Sequence, residues 1–369
     1  MKKIGIITFH SAHNYGAMLQ VYALQETLLQ FGHQVEIVDY RDKKIMSGYK
    51  FFKLDHKNVY TLVKSFIASF VFLIPNYIRS KRFNNFLKEH LNTTRKKYKS
   101  EEDLKNNPPE ENIYIVGSDQ VWNTALTGSL KDVYTLNFGR DNIKRISYAA
   151  SIGKSQIPDE LKNEYKEKLS NIDVISVREE QAKEILKDLI DKNIEVVLDP
   201  TLLLERKKWI SLIDKENKEK EKYIFIYGIG ERDRLYKIAN YISDKTNLKL
   251  IHFDKGNKGY KNVLRSAYSD GPIEFLKLIK NAEYVIAQSF HGTVFSIIFR
   301  KKFFVIPDKT TSSRVVNLLK KLGLEDRIIN NIEDIKEYNI DIDYENVESK
   351  LKFEREKSLE FLKNSIDGD

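Results

Sequence analysis

The side chains best suited to chemistry in this chain follow short apolar runs. The sharpest case is Gln288-Ser289-Phe290-His291-Gly292-Thr293, which comes after the strand-like Tyr284–Ala287 and before a helical pattern from about Thr293 to Arg300. A histidine in a glycine-containing polar turn titrates near neutral pH and can act as acid or base. The alternative is a satisfied core histidine. Gly117-Ser118-Asp119-Gln120-Val121-Trp122-Asn123 follows the run Ile113–Val116. There Asp119 can accept from substrate hydroxyls or serve as a second acid/base, with Ser118, Gln120 and Trp122 lining an acceptor. The competing reading is an Asx-type helix cap beside a core tryptophan.

Three further segments bear on anions. The stretch Phe9–Gln20 is a polar, glycine-bearing loop entering a helix. Its free N–H groups and helix dipole favour an anion or a sugar hydroxyl, with Asn14, Tyr15 and Gln20 as candidates; an ordinary turn capped by Asn14 explains it equally. Arg178, at the start of a helix after Ser176-Val177, suits a carboxylate or phosphate, or else pairs with Glu179. Arg314, with Ser312 and Ser313, opens another helix after Asp308-Lys309. No HExxH or carboxylate cluster has metal-ligand spacing, so neither a metal nor a redox cofactor is expected.

The elements that must position these groups read as α/β. Strand Lys3–Thr8, a helix over about Gly16–Phe31 and strand Gln34–Asp39 form a βαβ start. Strands are expected again at Ile113–Val116, Arg145–Ala149, Asp173–Val177 and Glu195–Val197. A second alternation has strands at Tyr223–Tyr227, Lys249–His252, Tyr284–Ala287 and Phe303–Ile306. The expected architecture is two Rossmann-like, doubly wound domains facing a cleft, over 1–213 and 222–327, with an acidic helical tail over 328–369. The polar run Asp214–Lys222 is the expected linker. A basic, aromatic, helical insertion is expected over 41–109.

Of 369 residues, 62 are Lys or Arg and 53 are Asp or Glu, giving +9. Sixteen basic against six acidic residues fall in 41–109, and seven against fourteen in 325–369. That concentration, without a zinc finger, RNP or helix-turn-helix signature, argues against nucleic acid as a partner. The absence of cysteine excludes disulfides and thiolate chemistry. The amino end enters a strand pattern without a signal-like apolar region, and the longest apolar run, Phe66–Ile74, is too short to span a bilayer, so a cytoplasmic protein is expected. Residues 50–82 interleave Phe51, Phe52, Phe66, Phe70, Phe72 and Ile74 with Lys and Arg, a pattern that fits either peripheral contact with an anionic membrane or packing on the core.

Taken together and in order, several segments resemble the polysaccharide pyruvyl transferase family. They are Asn14–Gln20 with Tyr22–Gln25, Val116–Asn123, Ser147–Gly153, Ser176–Glu179, Leu198–Thr201, Ser289–Thr293 and Arg314. The resemblance runs from about residue 1 to 327. It implies a glycosyltransferase-B-like fold and pyruvyl transfer from phosphoenolpyruvate to a sugar, often as a ketal, on a cell-surface polysaccharide precursor that is expected to be lipid-linked. It further implies that His291 is the acid/base and that Arg178 and Arg314 hold the donor, alongside Ser289, Gly292 and Thr293. One departure stands out: some members carry an arginine two residues before the histidine, where this chain has Ser289. The alternatives are a nucleotide-sugar glycosyltransferase of the same architecture and a non-catalytic scaffold in polysaccharide assembly.

Overall fold

The computed structural model describes residues 1–48, 70–213, 219, 221–228, 230, 232–257, 259–307, 312–335 and 341–368. They fall into two compact units. The first comprises Met1–Gly48, Leu87–Leu204 and Glu345–Asp369; the second comprises 70–86 and Glu205–Tyr344.

In the first unit the strands are β1 (Lys3–Ile7), β2 (Gln34–Tyr40), β3 (Thr93–Tyr98), β4 (Ile113–Val116), β5 (Lys144–Ala150), β6 (Val174–Val177) and β7 (Ile194–Val196). They form one parallel sheet in the order β3-β2-β1-β4-β5-β6-β7. Every residue of β4 is buried, as helices on both faces of a parallel sheet require. The helix Tyr15–Gln30, which links β1 to β2, is buried on nearly all sides, so its apolar residues form no single stripe.

The second unit holds β8 (Tyr223–Tyr227), β9 (Lys249–His252), β10 (Val263–Ser266), β11 (Tyr284–Ala287) and β12 (Lys302–Val305). The sheet is again parallel, in the order β10-β9-β8-β11-β12. Each sheet therefore has the same five-strand core order, with the chain reversing direction between β1 and β4 in one and between β8 and β11 in the other. At such switch points the loops leaving the carboxyl ends of neighbouring strands diverge and leave a crevice.

Four expectations change. The basic insertion contains a strand, β3, beside its helices Lys43–Ser47, Leu73–His90 and Glu101–Asn106. Residues 70–86 belong to the second unit: Arg79 Nη1 donates to the Tyr268 carbonyl at 2.9 Å, and Arg82 pairs with Asp270 at 2.7 Å. The boundary falls after Leu204 and not after Ile213, because the Trp209 ring packs edge-on against Phe295, 4.9 Å away. The terminal helix Tyr344–Asp367 returns to the first unit, where Ser358 Oγ accepts from Leu198 N–H and Arg355 Nε donates to the Leu202 carbonyl. The proposed linker, the Asp308–Thr311 loop, and Lys50, Phe51, Phe52, Lys53, Lys57, Lys64 and Phe66 lie wholly or largely outside the described residues. Among the described residues, no helix is long and apolar enough to cross a membrane.

Candidate functional site

In the first unit the loops after β1, β4 and β6 are joined by a buried polar network. Gln20 Nε2 donates to Thr8 Oγ1 (2.9 Å), and Thr8 Oγ1 donates to the Ser118 carbonyl (3.0 Å). Ser118 Oγ donates to Asp199 Oδ2 at 2.9 Å, and Arg178 Nη1 donates to the same oxygen at 2.9 Å. The other Asp199 oxygen accepts from the Thr201 amide and hydroxyl. Glu179 accepts from Ser151 Oγ at 2.6 Å and lies 3.7 Å from Arg178 Nε. Burial works against the Arg178 charge, but Asp199, Glu179 and Asp119 outweigh it and raise the guanidinium pKa.

These placements correct several expected roles. The Arg178 side chain is 2% exposed and is held by protein carboxylates, so it is a buried ion pair and not an open anion site. Trp122 is fully buried; its Nε1 donates to the Tyr134 carbonyl, which makes it a core residue and not a sugar platform. Tyr15, Gln20 and Ser118 are likewise buried and act on the protein. Asn14 caps the helix Tyr15–Gln30 by accepting from Ala17 N–H. Asp119 and Gln120 remain partly exposed. Asp119 has φ +80, a left-handed conformation unusual for a residue other than glycine, and bridges Ala150, whose neighbour Ala149 has φ +52. Strain of this kind concentrates at functional sites.

Two more buried groups lie at the same sheet edge. His10 Nε2 contacts Asp39 Oδ1 at 3.1 Å, and Arg41 forks onto both Asp39 oxygens. Burial alone would raise the Asp39 pKa, yet hydrogen bonds from His10 and Arg41 hold it well below the usual carboxylate range.

In the second unit, Ser289 caps the helix Phe290–Ile298 by accepting from Gly292 N–H at 3.0 Å. The helix thus begins three residues earlier than expected and carries His291 in its first turn. Thr293 Oγ1 donates to the Ser289 carbonyl and tightens the turn. Gly292 is required by close approach: a Cβ there would lie 3.1 Å from Tyr227 Cδ1 and 2.9 Å from Ser289 Oγ. The His291 turn is therefore seated against the end of β8, across the switch point. His291 itself is half-buried, its ring edge-on to Phe290. Arg314 sits in the first turn of the helix Ser312–Leu322, after β12, and is buried.

A family model for polysaccharide pyruvyl transferase matches residues 14–310. The chain belongs to the polysaccharide pyruvyl transferase family. This member is thereby a transferase, and the match takes in the second switch point and the β4 side of the first. No curated protein sequence matches it at significant similarity. Among solved structures it is similar to S. aureus MnaA in complex with UDP, at 13% identity, TM-score 0.52, covering 100% of this chain and 97% of that one. A candidate UDP-N-acetylglucosamine 2-epimerase from Listeria monocytogenes is similar at 11% identity, TM-score 0.50, with the same coverage. At these identities the likeness is one of fold: two Rossmann-like units of the glycosyltransferase-B type.

Other parts of the chain are less suited to catalysis. A cavity of about 700 Å³, lined by Lys2, Lys3, Glu110, Glu111 and Arg140 among others, lies at the amino ends of β1 and β4, the sheet edge away from the first unit's crevice. Burial and neighbouring Glu36 push the Glu111 pKa up to about 7 there, against the pull of Lys3. Among the described residues no three His, Asp or Glu side chains group as metal ligands. Glu179 takes the place beside Arg178 that the sequence offered as the alternative to an anion, whereas Thr8 and Asp199 carry no sequence signal that marks them as organisers of the first crevice. Asp199 lies in the Leu198–Thr201 motif, which by itself points to no role.

Proposed function

We propose that the protein transfers a pyruvyl group from phosphoenolpyruvate to a sugar of a cell-surface polysaccharide precursor, with His291 as acid/base. The observation that carries this reading is His291 in the first turn of a capped helix at the second switch point, within the family match. Protonating the donor's methylene carbon gives an oxocarbenium-like centre at C2. A sugar hydroxyl attacks it and gives up its proton. The C2–phosphate bond then breaks, and a second hydroxyl closes the ketal. One donor and one diol give one ketal and one inorganic phosphate. A histidine that accepts hydroxyl protons and returns them suffices for this cycle. The first-turn amides of the helix Phe290–Ile298 and its positive dipole end favour the anionic donor, with Gly292, Thr293 and Arg314 around it. Arg178 acts in this scheme by holding Asp199 and Glu179 in place. The partly exposed Asn14, Asp119 and Gln120 take the role of binding acceptor hydroxyls.

Incubating the protein with phosphoenolpyruvate and a panel of galactose, mannosamine and glucose acceptors, followed by mass spectrometry, tests the reaction. A ketal adduct with stoichiometric phosphate supports it; release of a nucleoside diphosphate from a nucleotide sugar would replace it with the second reading, glycosyl transfer. That reading draws on the same fold, since S. aureus MnaA was solved with UDP.

The acceptor in this proposal is lipid-linked, and the protein meets an anionic membrane surface peripherally. Phe70, Ile74 and Tyr77 are 65%, 70% and 59% exposed along one face at helical spacing, and Lys81 continues that face. The opposite face is fixed by Arg79 and Arg82. Co-sedimentation with phosphatidylglycerol vesicles at low salt is expected, with less from phosphatidylcholine; a protein left in the supernatant of both removes the membrane contact.

A further inference from the structure

The loops leaving β8 and β11 touch at a second point besides Gly292. Gly228, the residue after β8, has no room for a side chain: a Cβ there would lie 2.3 Å from Leu235 Cδ2, and 2.8 Å from both Arg232 Nη1 and Gln288 Oε1. Gln288 N–H donates to the Tyr227 carbonyl at 2.9 Å, three residues before His291. The guanidinium of Arg232 is thus brought to the base of the His291 turn, on the other lip of the same crevice.

Two contacts fix its direction. Nη1 donates to the Gly228 carbonyl at 2.8 Å, and Nη2 lies 2.9 Å from Asp254 Oδ1. Asp254 is itself held after β9, its N–H donating to His252 Nδ1 at 3.1 Å while His252 stacks on Tyr260. A guanidinium has five N–H donors. Among the described residues only these two contacts engage them, and the side chain is 37% exposed. Arg178 and Arg314, in contrast, are both buried. Arg232 also stands in the first turn of the helix Arg232–Thr246, where the backbone adds positive potential.

We propose that Arg232 binds the phosphate group of the donor phosphomonoester at the second switch point, with Asp254 limiting its affinity. The planar fork of an arginine matches two oxygens of a phosphate, and its aim is preset by Gly228 and Asp254. Because Asp254 shares the charge, phosphate binding stays weak enough for product phosphate to leave. The assignment of the phosphate to phosphoenolpyruvate rests on the pyruvyl-transfer reading; the phosphate site itself does not.

Calorimetric titration of the full chain with inorganic phosphate and with phosphoenolpyruvate, alongside steady-state kinetics, tests this. Arg232→Met is expected to weaken both ligands and raise the KM for phosphoenolpyruvate about tenfold or more, the loss of a charge-assisted pair of bonds. kcat should change far less, and Arg232→Lys should restore part of the affinity. Asp254→Asn should act in the opposite sense, tightening phosphate and slowing its release. That reversal is one that a merely structural role would not produce, and it stays readable if Arg232→Met folds poorly. Unchanged constants in Arg232→Met, in an enzyme that turns over phosphoenolpyruvate, overturn the assignment and leave pyruvyl transfer standing. Arg232-dependent phosphate binding without turnover upholds the site and removes pyruvyl transfer. A wild-type protein that binds neither ligand overturns both.

Discussion

The crevice between β1 and β4 and the one between β8 and β11 occupy equivalent places in sheets of the same strand order, yet their polar groups serve different ends. Around the first, Thr8, Gln20, Ser118, Arg178 and Asp199 are turned inward onto one another. Around the second, His291 is half-buried in a capped first turn, and the Arg232 side chain is 37% exposed. Topology thus determines where a binding crevice lies and leaves open whether its polar residues face a ligand or hold the frame. Burial separates the two roles: a guanidinium closed in by carboxylates stabilises loops, while one with unused donors at the surface can meet a substrate.

The comparison can be broken most directly at His291. His291→Ala is expected to lower turnover by about 10²–10⁴-fold while leaving circular dichroism and Tm unchanged; near-normal activity would remove the acid/base role. Asp199→Ala should do the reverse. It leaves the buried Arg178 without its main partner, at a cost of about 3–5 kcal/mol in urea unfolding. A shift well below that would mean the first network is less tightly built than its distances suggest.

Asp119 offers a finer probe, because it is the partly exposed member of the first crevice and the strained one. Asp119→Gly relieves φ +80 and should add about 1 kcal/mol of stability while lowering activity. A variant that is more stable and fully active would make Asp119 a structural residue like its neighbours. The smallest effect is expected at the opposite sheet edge. With its folded pKa raised to about 7, Glu111 binds more protons in the native state than in the unfolded state over the interval above its ordinary value. Stability therefore falls as pH rises from about 4.5 to about 7 and levels off above that. Glu111→Gln should raise Tm at pH 8 with little change at pH 4.5, checked by thermal melts at both values.

Much of this arrangement was legible in the sequence. The central strands announced themselves as apolar runs because a parallel sheet buries both faces. The two strands that escaped notice, Thr93–Tyr98 and Val263–Ser266, are edge strands of their sheets. Only part of their surface is covered, so Arg95, Lys96 and Lys97 are tolerated and no apolar alternation marks β3. The His291 helix starts earlier than its sequence pattern suggests because Gly292 reads as a turn residue. Its actual reason, the fit against Tyr227, depends on a strand more than sixty positions away. Partnership was the least legible property. Arg178 and Arg232 both follow strand ends in similar polar company, and only the folded chain shows that one meets Asp199 in the interior while the other meets Asp254 at the rim.

The return of the last helix to the first unit bears on the order of events during synthesis. Translation delivers residues 1–204 early, but Arg355 and Ser358, which close onto Leu202 and Leu198, emerge only after the whole of the second unit has been made. The usual vectorial order, amino-terminal domain first, is therefore inverted in its final step. The surface around Leu198–Leu202 therefore stays open until that helix has been made.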